Sequence, residues 1–194
     1  MMMKVELLSY TDIDPVEYKK HLSYNFFIRD ITRALLQEVA RHRKNTNFSV
    51  KSSRYTLKEL KKEDSFLTFN GCNTDSNNVL ERLGFYMDPC KVERAKKYIK
   101  FTGNTRVDMN SMVELDLLRS AIVNCIGNDV AKYNLPECYY TELTFTIGFD
   151  GLANLLALRT DKSALREFRE LAHMLYDNLP EEHKAIFSEY VKQY

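Results

Sequence analysis

The sequence predicts an α+β domain, residues 1–194, with a central antiparallel sheet flanked by long helices. Three observations point there. Val113, Leu117, Ala121 and Cys125, with Leu118 and Ile122 beside them, recur at helical spacing and mark a long helix over 110–128. Leu143, Phe145 and Ile147 alternate and mark a half-buried strand over 139–149. Strands and helices do not alternate regularly along the chain, which argues against a doubly wound parallel sheet. At 194 residues and 44% hydrophobic, the chain fits one domain of ordinary size with a real core.

The elements follow in order. Residues 5–10 read as a short strand, Asp12-Ile13-Asp14-Pro15 as a turn, and 23–27 as extended. A helix is expected over about 30–43, where Ile31, Ala34, Leu35 and Val39 share a face that Glu38 and His42 continue. After the turn cluster Asn45-Thr46-Asn47, residues 48–55 carry a strand pattern. Thr56 and Glu59 suggest a capping box for a short helix over 56–63. Residues 79–87 and 91–101 are expected to be short helices, with Lys96, Lys97 and Lys100 on a wet face. A helix from about 151 bears Leu152, Leu155, Leu156 and Arg159. Amphipathic helices over 163–178 and 181–192 close the chain.

The totals exclude several functions. A formal net charge of +1 gives no global field to recruit a nucleic-acid polymer or an acidic membrane. No apolar run is long enough to span a bilayer, and the opening residues hold no charged-then-apolar signal. The four cysteines are widely spaced and match no zinc pattern, so free thiols in the cytoplasm are expected. His21, His42, His173 and His183 stand far apart, so no metal site is expected. The six glycines form no phosphate-binding loop. Cys138 lacks a neighbouring base and reads as a buried small thiol.

The cationic residues carry the most information. Arg41-His42-Arg43 ends a predicted helix, and Ser52-Ser53-Arg54-Tyr55 follows on the next strand. Guanidinium forks match phosphate and carboxylate geometry and keep their charge. Converging from adjacent elements, they would form a pocket for a small doubly anionic molecule such as a nucleotide. The plainer alternative is a solvated helix end with cations near its negative pole. Lys132 and Arg159 also stand at element borders, with Asn154 about one and a half turns before Arg159.

Arg41-His42-Arg43, eight residues, Ser52, and then Arg54-Tyr55 resembles the signature of the flavin-dependent thymidylate synthases, in which seven residues usually precede the serine. The extra residue here falls within Lys44-Asn45-Thr46-Asn47. Leu36-Gln37-Glu38-Val39-Ala40 before the signature, and residues 49–60 around and after it, are similar to the epsilon-proteobacterial branch. Asn128-Asp129-Val130-Ala131-Lys132-Tyr133, Leu135-Pro136-Glu137 and residues 154–159 are similar to the family's second half.

The resemblance implies a homotetramer with FAD and nucleotide sites between subunits. Reduced flavin, supplied with electrons by NADPH, helps move a methylene group from methylenetetrahydrofolate onto dUMP, with no enzyme cysteine attacking the uracil. Arg41, His42 and Arg43 would line flavin and nucleotide. Ser52, Ser53 and Arg54 would hold the dUMP phosphate. Glu38 and Lys132 would help hold the nucleotide, Arg159 would bond the uracil carbonyls, and Asn154 would face the flavin. Arg159, Ser52 and Arg54 are the residues expected to serve catalysis. Negative charge develops on the uracil oxygens as the ring is activated, and a nearby guanidinium stabilises it.

Two departures bear on the flavin side. The family's His-x-Ser/Thr-x-Leu-Glu-His segment keeps only its last histidine, as His21. The motif commonly read as Asn-Ala-Arg-Ser is Gly148-Phe149-Asp150-Gly151, which lacks an amide and exchanges a cation for an anion. Two alternatives stay open: a homologue modifying another pyrimidine nucleotide, and a non-catalytic nucleotide-binding relative with an impaired flavin site.

Overall fold

The computed structural model describes residues 2–52, 57–71 and 74–192. In chain order its elements are β1 (Lys4–Tyr10), β2 (Ser23–Thr32), α1 (Arg33–Val39), β3 (Thr46–Val50), β4 (Thr68–Phe69), α2 (Val79–Arg82), β5 (Phe85–Tyr86), α3 (Pro89–Ala95), α4 (Thr105–Val123), α5 (Asn128–Ala131), β6 (Tyr140–Gly148), α6 (Phe149–Arg159), α7 (Arg166–Asp177) and α8 (Glu181–Phe187). These residues group into two compact units, one of 2–51 and 141 onward, the other of 52–140. None of the described helices is long and apolar enough to cross a membrane.

The first unit holds the expected antiparallel sheet, with strand order β1-β2-β6-β3. Val5 lies opposite Ile28 and Leu7 opposite Phe26, with an irregularity between Leu7 and Ser9. Phe48 lies opposite Phe145 and Val50 opposite Leu143. Between β2 and β6, Thr146 Oγ1 donates to Asn25 Oδ1 at 2.5 Å, and just beyond their ends the Phe149 N–H donates to the Leu22 carbonyl at 3.1 Å.

Period-two alternation sends Tyr24, Phe26, Ile28, Phe145 and Ile147 to a fully buried face. There they join Leu35 and Val39 of α1, Leu152 and Leu156 of α6, and Phe168 and Leu171 of α7 in one core. Each such apolar side chain contributes about 1.5–3 kcal/mol on leaving water.

The structure corrects the expected helix over 30–43. Asp30 has φ +59, outside the right-handed helical region, so β2 continues through it to Thr32. Thr32 then caps α1, its hydroxyl accepting from the Leu35 N–H at 3.1 Å. The Glu167 carboxylate fixes Thr32 in turn, accepting its N–H at 3.1 Å and its hydroxyl proton at 2.7 Å. A partner 135 residues away thus sets where this helix begins, and local periodicity does not reveal it.

The second unit is packed around α4, with Leu57, Leu60, Phe66, Ile99, Leu115 and Leu118 fully buried. The helix expected over 110–128 begins earlier because Asn104 caps it, accepting from Val107 N–H at 3.2 Å. It ends before Cys125, whose φ is +59. Its buried face is Met112, Leu115, Leu118 and Ile122, while Leu117 and Cys125 are exposed. Two carboxylates inside this unit tie its segments together. Asp116 accepts from the Phe66 N–H at 2.8 Å and from Arg119 Nε at 2.9 Å, and Asp108 accepts from Thr102 and Gly103.

The helix expected over 79–87 stops at Arg82, and Phe85 pairs with Phe69 in a two-stranded ribbon, ring centroids 4.0 Å apart. The strand expected over 48–55 ends at Val50, with one further bond from the Lys51 N–H to the Glu142 carbonyl at 3.0 Å, and residues 53–56, with the Thr56 capping box, lie outside the described residues.

Candidate functional site

The site grows from the end of α1. The helix stops at Val39, and the chain turns tightly, with Arg41 N–H bonded to the Glu38 carbonyl and His42 N–H to the Val39 carbonyl. Glu38, Arg41 and His42, at spacings of three and four residues, lie on one side of this last turn. Thr46 Oγ1 donates to the His42 carbonyl at 2.6 Å and ties the turn to the start of β3.

Arg159, the last residue of α6, meets this turn. Its Nε donates to His42 Nε2 at 2.9 Å, and its Nη2 lies 3.2 Å from Glu38 Oε2. Arg41 Nη1 sits 3.1 Å from the other Glu38 oxygen. Phe168 of α7 forms the floor. The Arg159 guanidinium carbon is 4.6 Å from its ring centre, and the His42 ring meets it edge-on at 5.3 Å. A cation over an aromatic face is held by the ring quadrupole.

Charge and protonation follow from this geometry. His42 is 7% exposed. Burial, aided by the positive charge of Arg159, pushes its pKa down to about 4, with Glu38 opposing. The imidazole is therefore neutral near pH 7. Because Nε2 accepts from Arg159, the ring proton sits on Nδ1. Two guanidiniums share one carboxylate beside a neutral ring, so the cluster keeps one net positive charge. It suits an anion or the developing charge on a carbonyl oxygen.

The other expected site residues are distributed as follows. Arg43 is exposed just beyond the turn, Asn154 is exposed on α6, and His21 is exposed at the end of a short 3₁₀ turn, Lys19–His21. Among the described residues, none of these three hydrogen-bonds to Arg159, His42, Glu38 or Arg41. Ser52 is exposed at the start of the second unit, and Lys132 is exposed in that unit, on the short 3₁₀ turn Lys132–Asn134. Ser53 and Arg54 lie outside the described residues. Phe168 was missed as a site residue because its helical spacing marks it only as core.

Other chemistry is not supported. Cys138 has a thiol pushed up by burial, the direction that removes nucleophilicity. Among the described residues no group of His, Cys, Asp or Glu could hold a metal. A cavity of about 320 Å³ in the second unit is lined by Glu81, Tyr86 and Met109 among others, with no cationic side chain, so it does not suit an anion.

The family described as thymidylate synthase complementing protein matches residues 15–183. Flavin-dependent thymidylate synthases of Campylobacter jejuni (strain RM1221) and Wolinella succinogenes are each 46% identical to the chain over 168 residues. Those alignments cover 87% of this chain and 70% and 72% of theirs. The Helicobacter pylori enzyme of strain 26695 is 41% identical over 174 residues, 89% of this chain and 74% of its own. A crystal structure of thymidylate synthase X from Helicobacter pylori with FAD and dUMP matches with a TM-score of 0.82 at 34% identity, covering 99% of this chain and 100% of that one. A UMP/dUMP methylase from Streptomyces cacaoi, 16% identical with a TM-score of 0.62 over 97% and 95% of the two chains, shares the fold.

Proposed function

The chain belongs to the thymidylate synthase complementing protein family, and from that premise we propose that it is a flavin-dependent thymidylate synthase converting dUMP to dTMP. The observation that carries the proposal is Arg159, fixed through three contacts with His42, Glu38 and Phe168. A guanidinium held in advance stabilises charge on the uracil oxygens without reorganising during reaction. His42 holds its proton on Nδ1, away from Arg159. Glu38 keeps Arg159 and Arg41 from repelling each other.

The donor set suits a flavin as well as a nucleotide. Arg41, Arg43 and Asn154 are exposed hydrogen-bond donors in the same unit as the cluster, and they would hold FAD together with His21 and His42. Bound FAD, with electrons from NADPH, would supply the reduction that turns a methylene from methylenetetrahydrofolate into the methyl of dTMP. On the resemblance, Ser52, Ser53 and Arg54 grip the dUMP phosphate and Lys132 assists. The family match from 15 to 183 runs through both compact units, which supports the chain acting as one domain. A homotetramer in the cytoplasm is part of the same proposal, and Cys90, Cys125 and Cys138 are free thiols.

The test combines spectroscopy and turnover. Purified protein titrated with FAD should show bound-flavin absorbance that NADPH bleaches. Tritium should leave C5-labelled dUMP when methylenetetrahydrofolate is added. Calorimetry that finds dUMP binding without flavin binding or tritium release would favour the non-catalytic alternative, for which the anionic Asp150 in the first turn of α6 speaks. Light scattering reads the tetramer.

A further inference from the structure

Arg159 is the last residue of α6, a position at which helices fray, yet the chain just beyond it is tied down. Thr160 is fully buried. Its Oγ1 donates to the Leu156 carbonyl at 2.7 Å and accepts the Lys192 N–H at 2.9 Å. Lys192 Nζ lies 2.7 Å from Asp161 Oδ2. Asp161 Oδ1 in turn accepts from the Ser163 N–H at 2.9 Å and from its hydroxyl at 2.6 Å. From α7, Arg169 Nη1 donates to the Lys162 and Ala164 carbonyls at 2.6 and 2.9 Å.

Residues 188–192, which follow α8, therefore touch α6 at both ends. Tyr190 meets the ring of Phe149, the first residue of α6, edge-on with centroids 6.4 Å apart. Lys192 holds Thr160 at the other end, 32 residues away in the chain. The loop over 160–165 joins Arg159 to α7, which carries Phe168, the ring beneath the guanidinium. A clamp on this loop thus fixes the cation relative to its floor. Such precision matters, because a productive group must be held within about 0.5 Å, and a misplacement of about 1 Å can cost about 100-fold. Fraying of the last turn of α6 would swing Arg159 Nε away from His42 Nε2.

We infer that Thr160 is a positioning residue for Arg159, and that the 188–192 segment acts through it: the buried hydroxyl and the Lys192 N–H lock the end of α6 so that the guanidinium stays aimed at an anionic nucleotide. This rests on the nucleotide reading of the site and extends it to a segment outside the cluster of Glu38, Arg41, His42 and Arg159.

Two variants remove the clamp by different means. Thr160→Val keeps nearly the same shape and loses the hydroxyl. Lys192→Pro keeps Thr160 and loses the N–H together with the ion pair; Val191 is already extended, φ −92 and ψ 115, as a following proline requires. Each is made alone and together with Arg159→Ala. Calorimetry reads dUMP affinity, circular dichroism reads folding, and ¹⁵N NMR reads the His42 Nε2 resonance, which reports the bond from Arg159. Each single variant should stay folded, weaken dUMP about three- to tenfold and move the His42 resonance toward its position in Arg159→Ala. Added to Arg159→Ala, neither should weaken dUMP by more than about twofold further. Wild-type dUMP affinity in the folded single variants overturns the inference. So does an undiminished loss on top of Arg159→Ala, or a loss with the His42 resonance unmoved. If both variants unfold, Thr160 is structural and the inference falls. Wild type that binds no dUMP overturns the nucleotide reading; a His42 resonance that moves in both variants then still supports the clamp on Arg159, and one that stays put overturns it.

Discussion

Arg159 Nε donates a 2.9 Å hydrogen bond to His42 Nε2, and this bond exists only while the imidazole is unprotonated on that atom. It links the last residue of α6 to the turn that ends α1. One neutral histidine thereby fixes the direction of the cation on which the proposed chemistry depends.

Replacing Arg159 with alanine should weaken dUMP binding about 10- to 100-fold while the protein stays folded. The side chain is 20% exposed and packs on one face of Phe168, so its removal opens a surface slot and leaves the core closed. Calorimetry with circular-dichroism melting checks both halves. A melted fold with unchanged affinity would make the residue structural.

The His42 contact makes stability depend on pH. Its folded pKa, about 4, lies below the ordinary value of 6.5, so the unfolded chain binds the proton more readily. The contribution is complete above about pH 6.5 and is lost as pH falls toward 4, amounting to at most about 3 kcal/mol. His183, buried beside the Tyr24 hydroxyl at 2.9 Å, has its pKa lowered too and acts with the same sign. Urea unfolding of wild type and His42→Gln at pH 7.5 and 4.5 separates the two. The variant should lose part of the pH dependence and keep most dUMP affinity, because glutamine offers an acceptor in place of Nε2. His42→Ala should lose the affinity.

Glu167→Ala should destabilise the protein by about 1–3 kcal/mol. It leaves the Thr32 N–H and hydroxyl, both buried, without the carboxylate that now accepts them at 3.1 and 2.7 Å. Glu167→Gln, which keeps an acceptor oxygen, should cost less. Denaturant melts of the two variants measure the difference.

Cys138→Ala should turn over dUMP within about twofold of wild type, since burial holds the thiol in its unreactive form. Loss of tritium release in a folded Cys138→Ala protein would return this cysteine to the list of nucleophiles.

Much of the framework can be read from the residues in line. Alternation over 140–148 marks β6, and the apolar run of Leu152, Leu155 and Leu156 marks α6, because the side-chain period of each element is written locally. The start of α1 was not legible, since it depends on Glu167 and on a positive φ at Asp30. The buried side of α4 is not written locally, because leucines lie on more than one of its faces and packing alone selects Leu115 and Leu118 over Leu117.

By itself the sequence determined the periods of the elements, the absence of a strong net field and the cationic signature around His42, since each depends on residue type and spacing. Only the tertiary structure decided that Arg159 meets His42 across 117 residues and that Phe168 forms their floor. Those are contacts between segments distant in the chain. Their geometry is set by how the helix ends close on the sheet, and no local pattern encodes it.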